Sequence, residues 1–284
     1  MRNNNVACIA ALVLGTAGLV WLLPKPPNLV RIIVDDERMG RTFAPDQIYK
    51  MNLPTNPAMP GPDKYAHKKL NNSKIDCVID VGANVGTISD LALSYPNVRK
   101  CLAVEPLKKH LQSLHALAQK PQFTHRFQIF PYALSDKRRL VEMTNEIKDD
   151  YYTFYIKRND SMKGIPELNG VNTVSAMVLS DLMPFLLDCN AVFIKVDIQG
   201  HECWAFKDEA EFFKQVKVPY VLLEWTLAWR TDYQCNSDMI NMFKGQGYEA
   251  RMLNDSKISE KDLLSSLEKP DPNLYDMVWV KEKL

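Results

Sequence analysis

Asp80, Gly82, Asn84, Gly86 and Glu105 stand at spacings that suit a nucleoside ligand. Around the first of them, Val78, Ile79 and Val81 form the apolar run that a central parallel strand needs. Asp80 then falls near the strand's carboxyl end, where open α/β sheets bind ligands. Gly82 and Gly86 remove side chains where a backbone must turn sharply and approach a ligand closely. A dinucleotide loop of the Gly-x-Gly-x-x-Gly kind seats a pyrophosphate on a helix N-terminus, but here Asn84 replaces the middle glycine. Asp80, two residues before the first glycine, repels a pyrophosphate and suits an ammonium and a sulfonium. Glu105 follows Gly86 by 19 residues, close to the spacing at which an acid meets a ribose. A carboxylate accepts hydrogen bonds from two vicinal hydroxyls at once and excludes a 2′-phosphate. The loop therefore favours S-adenosylmethionine over a nicotinamide dinucleotide.

Further polar groups close later strands. Ser135 and Asp136 follow Ala133-Leu134, and they suit the amino group and edge of an adenine or, equally, a turn or helix cap. Lys195-Val-Asp-Ile-Gln-Gly-His-Glu202 brings an amide (Gln199), an imidazole (His201) and three charged groups (Lys195, Asp197 and Glu202) to the same edge, and Glu224 closes the next strand. Unpaired charge at the end of a buried strand is costly. Carboxylates at five strand ends in succession (Asp80, Glu105, Asp136, Asp197, Glu224) point to a ligand crevice.

The elements that must position these groups alternate from residue 75 on, as a mainly parallel sheet covered on both faces requires. Strands are expected over 100–106, Phe127–Leu134, 191–197 and Pro219–Trp225, with helices over 85–95, 107–119 and 203–214. Residues 138–179 break the rhythm with short antiparallel strands, and 248–253 with 275–281 form a terminal antiparallel pair. Prolines crowd residues 25–74, which read as a stalk or arm with one short strand over 31–34. The aromatic stretch Tyr151–Tyr155 suits an acceptor pocket or simple packing.

The chain has 284 residues, 46% hydrophobic, and a formal net charge of +1. That is enough for one sizeable core, with no global attraction to nucleic acid. Val6–Leu23 holds 18 uncharged residues within an N-terminal segment, 1–24, that reads as a single-pass membrane anchor, with a cleaved signal peptide second. The flanking charges (Arg2 before, Lys25 and Arg31 after) favour a cytoplasmic domain by a small margin. Asn-x-Ser triplets at Asn71, Asn159 and Asn254 are compatible with a lumen. The side of the membrane thus stays open. Cys77 and Cys101 sit at strand starts, where free buried cysteine is common, and no cysteine or histidine spacing calls for a metal.

With these pieces assembled, residues 75–284 resemble an FkbM-type domain of the class I S-adenosylmethionine-dependent methyltransferases. The likeness rests on Asp80–Gly86, Val104-Glu105-Pro106, Ala133–Asp136, Leu179-Ser180-Asp181-Leu182 and Ile194–Glu202. It implies a Rossmann-like α/β sheet of seven strands with one reversed. Donor contacts are implied from Asp80, Gly82, Asn84, Glu105 and Asp136, joined on their spacing by Gly86 and Ser135. Asp197 is implied to lie beside the transferring methyl group. As base or acceptor-orienting group Asp197 comes first and His201 second, with Glu202 and Glu224 as acceptor contacts. The expected acceptor is an oxygen on a small molecule, sugar or lipid. Gln199 departs from the family's usual Asp-Val-Glu-Gly, which leaves as the alternative a membrane-tethered, catalytically weak or inactive methyltransferase-fold protein acting through ligand or partner binding.

Overall fold

The computed structural model describes residues 61–71, 74–144, 155–156, 172–225, 232–268 and 276–281. The apolar run 6–23, the strand expected over 31–34 and the stretch Tyr151–Phe154 lie outside the described residues. Among those described, no helix is long and apolar enough to cross a membrane.

The first described element, α1 (Pro62–Asn71), opens on a proline whose missing N–H costs nothing at that position. It buries Tyr65, Ala66 and Leu70. A βαβ unit follows: β1 (Cys77–Val81), α2 (Thr87–Ser94) and β2 (Lys100–Val104), with α1 packed on α2. Next come α3 (Lys108–Ala118) and β3 (Phe127–Phe130). Then β4 (Ala133–Leu134), β5 (Arg139–Thr144), β6 (Tyr155–Ile156) and β7 (Asn172–Met177) form a second, four-stranded sheet in the order β4-β7-β5-β6. The chain returns to the main sheet through β8 (Val192–Val196), α4 (Glu202–Ala205), α5 (Ala210–Gln215) and β9 (Tyr220–Glu224). It closes with α6 (Tyr233–Gly245), β10 (Glu249–Met252), α7 (Glu260–Ser265) and β11 (Asp276–Val280).

The main sheet has seven strands in the order β10-β11-β9-β8-β1-β2-β3, with β11 antiparallel to both neighbours and the remaining pairs parallel. The strand order turns about between β1 and β8, so the loops after those two strands diverge and leave a crevice. Side chains alternate across the sheet. Ile79, Ile194, Leu223 and Trp279 enter one core, while Val78, Phe193, Leu222 and Val278 enter the other with α1, α2 and α3. By the same alternation Asp80, Lys195, Glu224 and Asp276 share the second face.

Three expectations need correction. The run Phe127–Leu134 is cut by Pro131, which has no N–H for a ladder; the chain turns there, and Ala133-Leu134 pairs with β7 of the second sheet. Asp136 therefore follows a strand of that second sheet, not the third core strand. The helix over 203–214 is two short helices, separated where Asp208 adopts a left-handed φ of 62°. Cys77 is not free: it is bonded to Cys189, and a second disulfide joins Cys203 on α4 to Cys235 on α6, leaving Cys101 as the free buried thiol among the described residues. Cysteine connectivity is set by folded geometry rather than by spacing.

The Cys203–Cys235 bond closes 32 residues of sequence separation and ties α4, which carries the end of the 197–201 loop, to α6. Changing both cysteines to serine is expected to lower unfolding free energy by about 2–4 kcal/mol. Urea denaturation checks this, and an unchanged midpoint would show that the bond does not hold the fold.

Candidate functional site

A cleft opens at the carboxyl ends of β1, β2 and β8. Gly82, Asn84, Glu105 and Asp197 line it, together with Gln199, His110 and an apolar wall that includes Tyr132, Leu134 and Met143. The second sheet thus supplies the wall that the broken third strand could not.

Gly82 is held at φ 67°, and a Cβ there would sit 1.9 Å from the backbone oxygen of Asp197. Its glycine is demanded by the neighbouring strand-end loop as much as by any ligand. Gly86, at φ 92°, precedes α2; its Cβ would meet Leu114 at 2.9 Å, so this glycine lets α2 close on α3 and does not line the cleft. Asn84 also takes a left-handed φ of 51°, and its backbone N–H donates to Glu105 Oε2 at 2.9 Å. Glu105 Oε1 accepts from Leu107 N at 2.9 Å and lies 3.2 Å from His110 Nδ1. Three groups therefore fix this buried carboxylate while Oε2 keeps a lone pair for a ligand.

Lys195 is the cation of the site. Its ammonium donates to Gly82 O at 2.8 Å and Val81 O at 3.3 Å, and lies 3.6 Å from Asp80 Oδ1 and 3.7 Å from Asp197 Oδ2. Burial works against its charge, but Asp197, Asp80, Glu224 and Glu105 together outweigh burial and hold its pKa above the ordinary lysine value. Asp80 is fully buried and receives Ser89 Oγ at 2.7 Å; burial raises its pKa, with Lys195 and Ser89 pulling the other way. Asp80 stands behind the cleft wall, one layer from a ligand.

Asp197 is the carboxylate that faces out, with 39% of its side chain exposed. Gln199, at a left-handed φ of 56°, donates from one amide nitrogen to Asp197 Oδ1 at 2.7 Å and to Glu224 Oε2 at 3.0 Å. Asp276, the first residue of β11, pairs with Glu224 across the ladder. Its pKa is pushed up to about 7, by burial first and then by Asp197 and Asp63, with Lys195 opposing.

The remaining expected residues are placed elsewhere. Ser135 and His201 are buried against each other, Oγ to Nε2 at 2.9 Å, and join the loops after β4 and β8 behind the cleft. Ser135 also donates to Asp136, whose carboxylate meets Arg139 at 3.0 Å. The Glu202 carboxylate turns back into its own loop and accepts from Ile198 N at 2.9 Å; burial pushes its pKa up to about 7. Lys195, His110 and Asp276 are functional candidates that pattern reading did not single out. A lysine inside the apolar run Ala191–Val196 was the available signal for the first. Among the described residues no cluster of His, Cys, Asp or Glu is arranged to hold a metal ion.

A family model, the methyltransferase FkbM domain, matches residues 80–250. The chain belongs to the FkbM methyltransferase family, and its domain is that of an S-adenosylmethionine-dependent methyltransferase. No curated protein matches it. Among solved structures it is similar to an FkbM methyltransferase from Methylobacillus flagellatus KT, at 13% identity over 72% of this chain, with a TM-score of 0.45. The match spans 44% of that protein's length. It is also similar to a precorrin-6y C5,15-methyltransferase from Geobacter metallireducens GS-15, at 10% identity over 78% of this chain and 87% of that one, with a TM-score of 0.40.

The residues present fit the cofactor. Glu105 Oε2 has an acceptor position left for a hydroxyl, and the Asn84 Oδ1 and His110 Nε2 atoms are buried without a partner. Carboxylates at 80, 105 and 197 make the surroundings favourable to an ammonium and a sulfonium.

An acid whose pKa is higher folded than unfolded binds its proton more tightly in the folded state, so stability is lost as pH rises between the two values. For Asp276 that window runs from about 4, the ordinary aspartate value, to about 7. Asp276→Asn is expected to stabilise the protein by a margin that grows across this window and levels off above it. Denaturation at pH 5 and pH 8 checks this; an equal or absent margin would contradict it.

Proposed function

We propose that this domain transfers a methyl group to an oxygen of a small-molecule, sugar or lipid acceptor in the cleft between the loops after β1 and β8. One observation carries the reading: Asp197, the half-exposed carboxylate on the cleft, is held by Lys195 on one side and Gln199 on the other. S-adenosylmethionine supplies, when bound, a methyl carbon already activated by its sulfonium. The protein's task is therefore alignment and removal of one proton. Glu105 and the Gly82–Asn84 backbone hold the nucleoside side. Asp197 accepts the hydrogen bond of the acceptor hydroxyl and would take its proton as that oxygen displaces the neutral thioether, the methyl C–O bond forming while the C–S bond breaks. Lys195, 3.7 Å from its Oδ2, holds that carboxylate in place. His201, through Ser135, serves as a brace for the loop rather than as the base.

The same proposal assigns the domain to the oxidising side of a membrane, anchored by Val6–Leu23. Two disulfides support this, because cytosolic thiols are kept reduced. They weigh more than a one-residue bias in flanking charge. The acceptor would then be a lumenal or extracellular hydroxyl.

Glu105→Ala should weaken S-adenosylmethionine binding at least tenfold in calorimetry. Asp197→Asn should leave that binding within about twofold and lower turnover by about 10²–10⁴. Wild-type turnover in the second variant would end the catalytic assignment. In cells, alkylating the full chain after acid quenching should label four more cysteines with prior reduction than without it. Equal labelling would refute the compartment.

A further inference from the structure

We propose that His110 reads the ribose of the methyl donor: its Nε2 accepts the hydrogen bond of one ribose hydroxyl while Glu105 takes the other. This inference rests on the methyl-transfer reading of the same cleft and names what makes the site select a ribonucleoside.

His110 stands in the first turn of α3, at the head of a buried stripe continued by Leu114 and Leu117. At that i, i+4, i+7 spacing a helix ordinarily sets apolar side chains against its neighbours. An imidazole there must find partners for two ring nitrogens. It finds one. Nδ1 lies 3.2 Å from Glu105 Oε1, whereas Nε2 is buried with no partner, and the residue lines the cleft. Leaving a buried polar atom unpaired is costly, and folded interiors leave few of them. A ligand group that completes Nε2 removes that cost.

Glu105 shows which group is wanted. Its Oε1 accepts from Leu107 N and faces His110 Nδ1, so both positions on that oxygen are taken. Its Oε2 accepts from Asn84 N and has one position left. A carboxylate open on both oxygens can hold two vicinal hydroxyls, but this one has room for one. On the Asn84 flank Oε2 itself serves the ligand, and on the opposite flank stands His110 Nε2. A carboxylate only accepts, so the proton facing it belongs to Nδ1, and Nε2 of the neutral ring keeps its lone pair. A hydroxyl can donate to that lone pair, whereas the ring nitrogens of adenine cannot. A ribose brings two adjacent O–H groups to two adjacent acceptors, which makes His110 a specificity-determining residue.

Asparagine separates this contact from support of Glu105, because its amide can replace Nδ1 toward Oε1 and has nothing at the place of Nε2. Calorimetry of the full chain would compare S-adenosylhomocysteine, the donor without its methyl group, with its 2′-deoxy and 3′-deoxy forms. Wild type is expected to lose roughly five- to tenfold in affinity on removal of either hydroxyl. His110→Asn should bind the parent ligand more weakly by a similar factor, ignore the loss of one hydroxyl and keep the full penalty for the other. Wild type that binds the parent but is indifferent to either hydroxyl would overturn the inference, and this arm decides even where the variant does not fold. A variant that keeps both penalties would overturn it, since Nε2 would then meet another part of the donor. So would a variant that loses both, which would make His110 a support for Glu105 alone. Wild type that binds none of the three ligands would overturn the methyl-transfer reading and this inference together.

Discussion

One buried cation organises the functional end of this protein. Lys195 sits in the middle of an apolar strand, where an uncompensated charge is not tolerated. Its compensation comes from separate pieces of chain: the carbonyls of Val81, which ends β1, and of Gly82 just after it, the carboxylate of Asp80 within β1, and Asp197 after β8. Meeting those demands pins the two loops that border the crevice to each other. The contact is tight enough that even a methyl group on Gly82 would collide with the backbone of Asp197. Breaking a buried pair by removing one partner is strongly destabilising, so the site's geometry and the fold's stability share this residue.

From that centre the acidic groups divide by task. Asp80 is sealed in and neutralises Lys195. Glu105 is locked by backbone and by His110, and keeps one acceptor position toward the cleft. Asp197 is held yet exposed, which is what a group meeting an acceptor needs. Left-handed backbone is concentrated nearby: Gly82 and Gly200 adopt it freely, while Asn84 and Gln199 hold it at a conformational cost. The Cys203–Cys235 bond and the Ser135–His201 contact secure the far end of the same loop from outside the sheet.

Much of this was legible in the sequence, for physical reasons. Continuous apolar runs, punctuated by Gly82 and Pro96, read as buried parallel strands feeding a helix, and the acids at 80, 105 and 197 then fall near strand ends. The third strand misled because Phe127–Leu134 is apolar but for Gln128, and the missing N–H of Pro131 is the signal that the run serves two sheets. Asp276 escaped notice because β11 runs backward: the start of a reversed strand lies beside the ends of its parallel neighbours, which no local pattern reveals. Glu202 and Gly86 do not face the cleft, for a similar reason. Their spacing is right for a ligand, but their side-chain space is taken by their own loop and by Leu114. Gln199, which as a bare departure from a motif reads as damage, becomes intelligible only when Glu224 is seen beside it.

The central claim is that a Lys195-centred, acid-lined crevice receives a sulfonium nucleoside and rejects a pyrophosphate. Calorimetric titration of the full chain with S-adenosylmethionine, and separately with NAD, tests it most directly. The account predicts a dissociation constant in roughly the micromolar range for the first and no measurable binding for the second. Binding of NAD, or a folded protein with no affinity for S-adenosylmethionine, would contradict it.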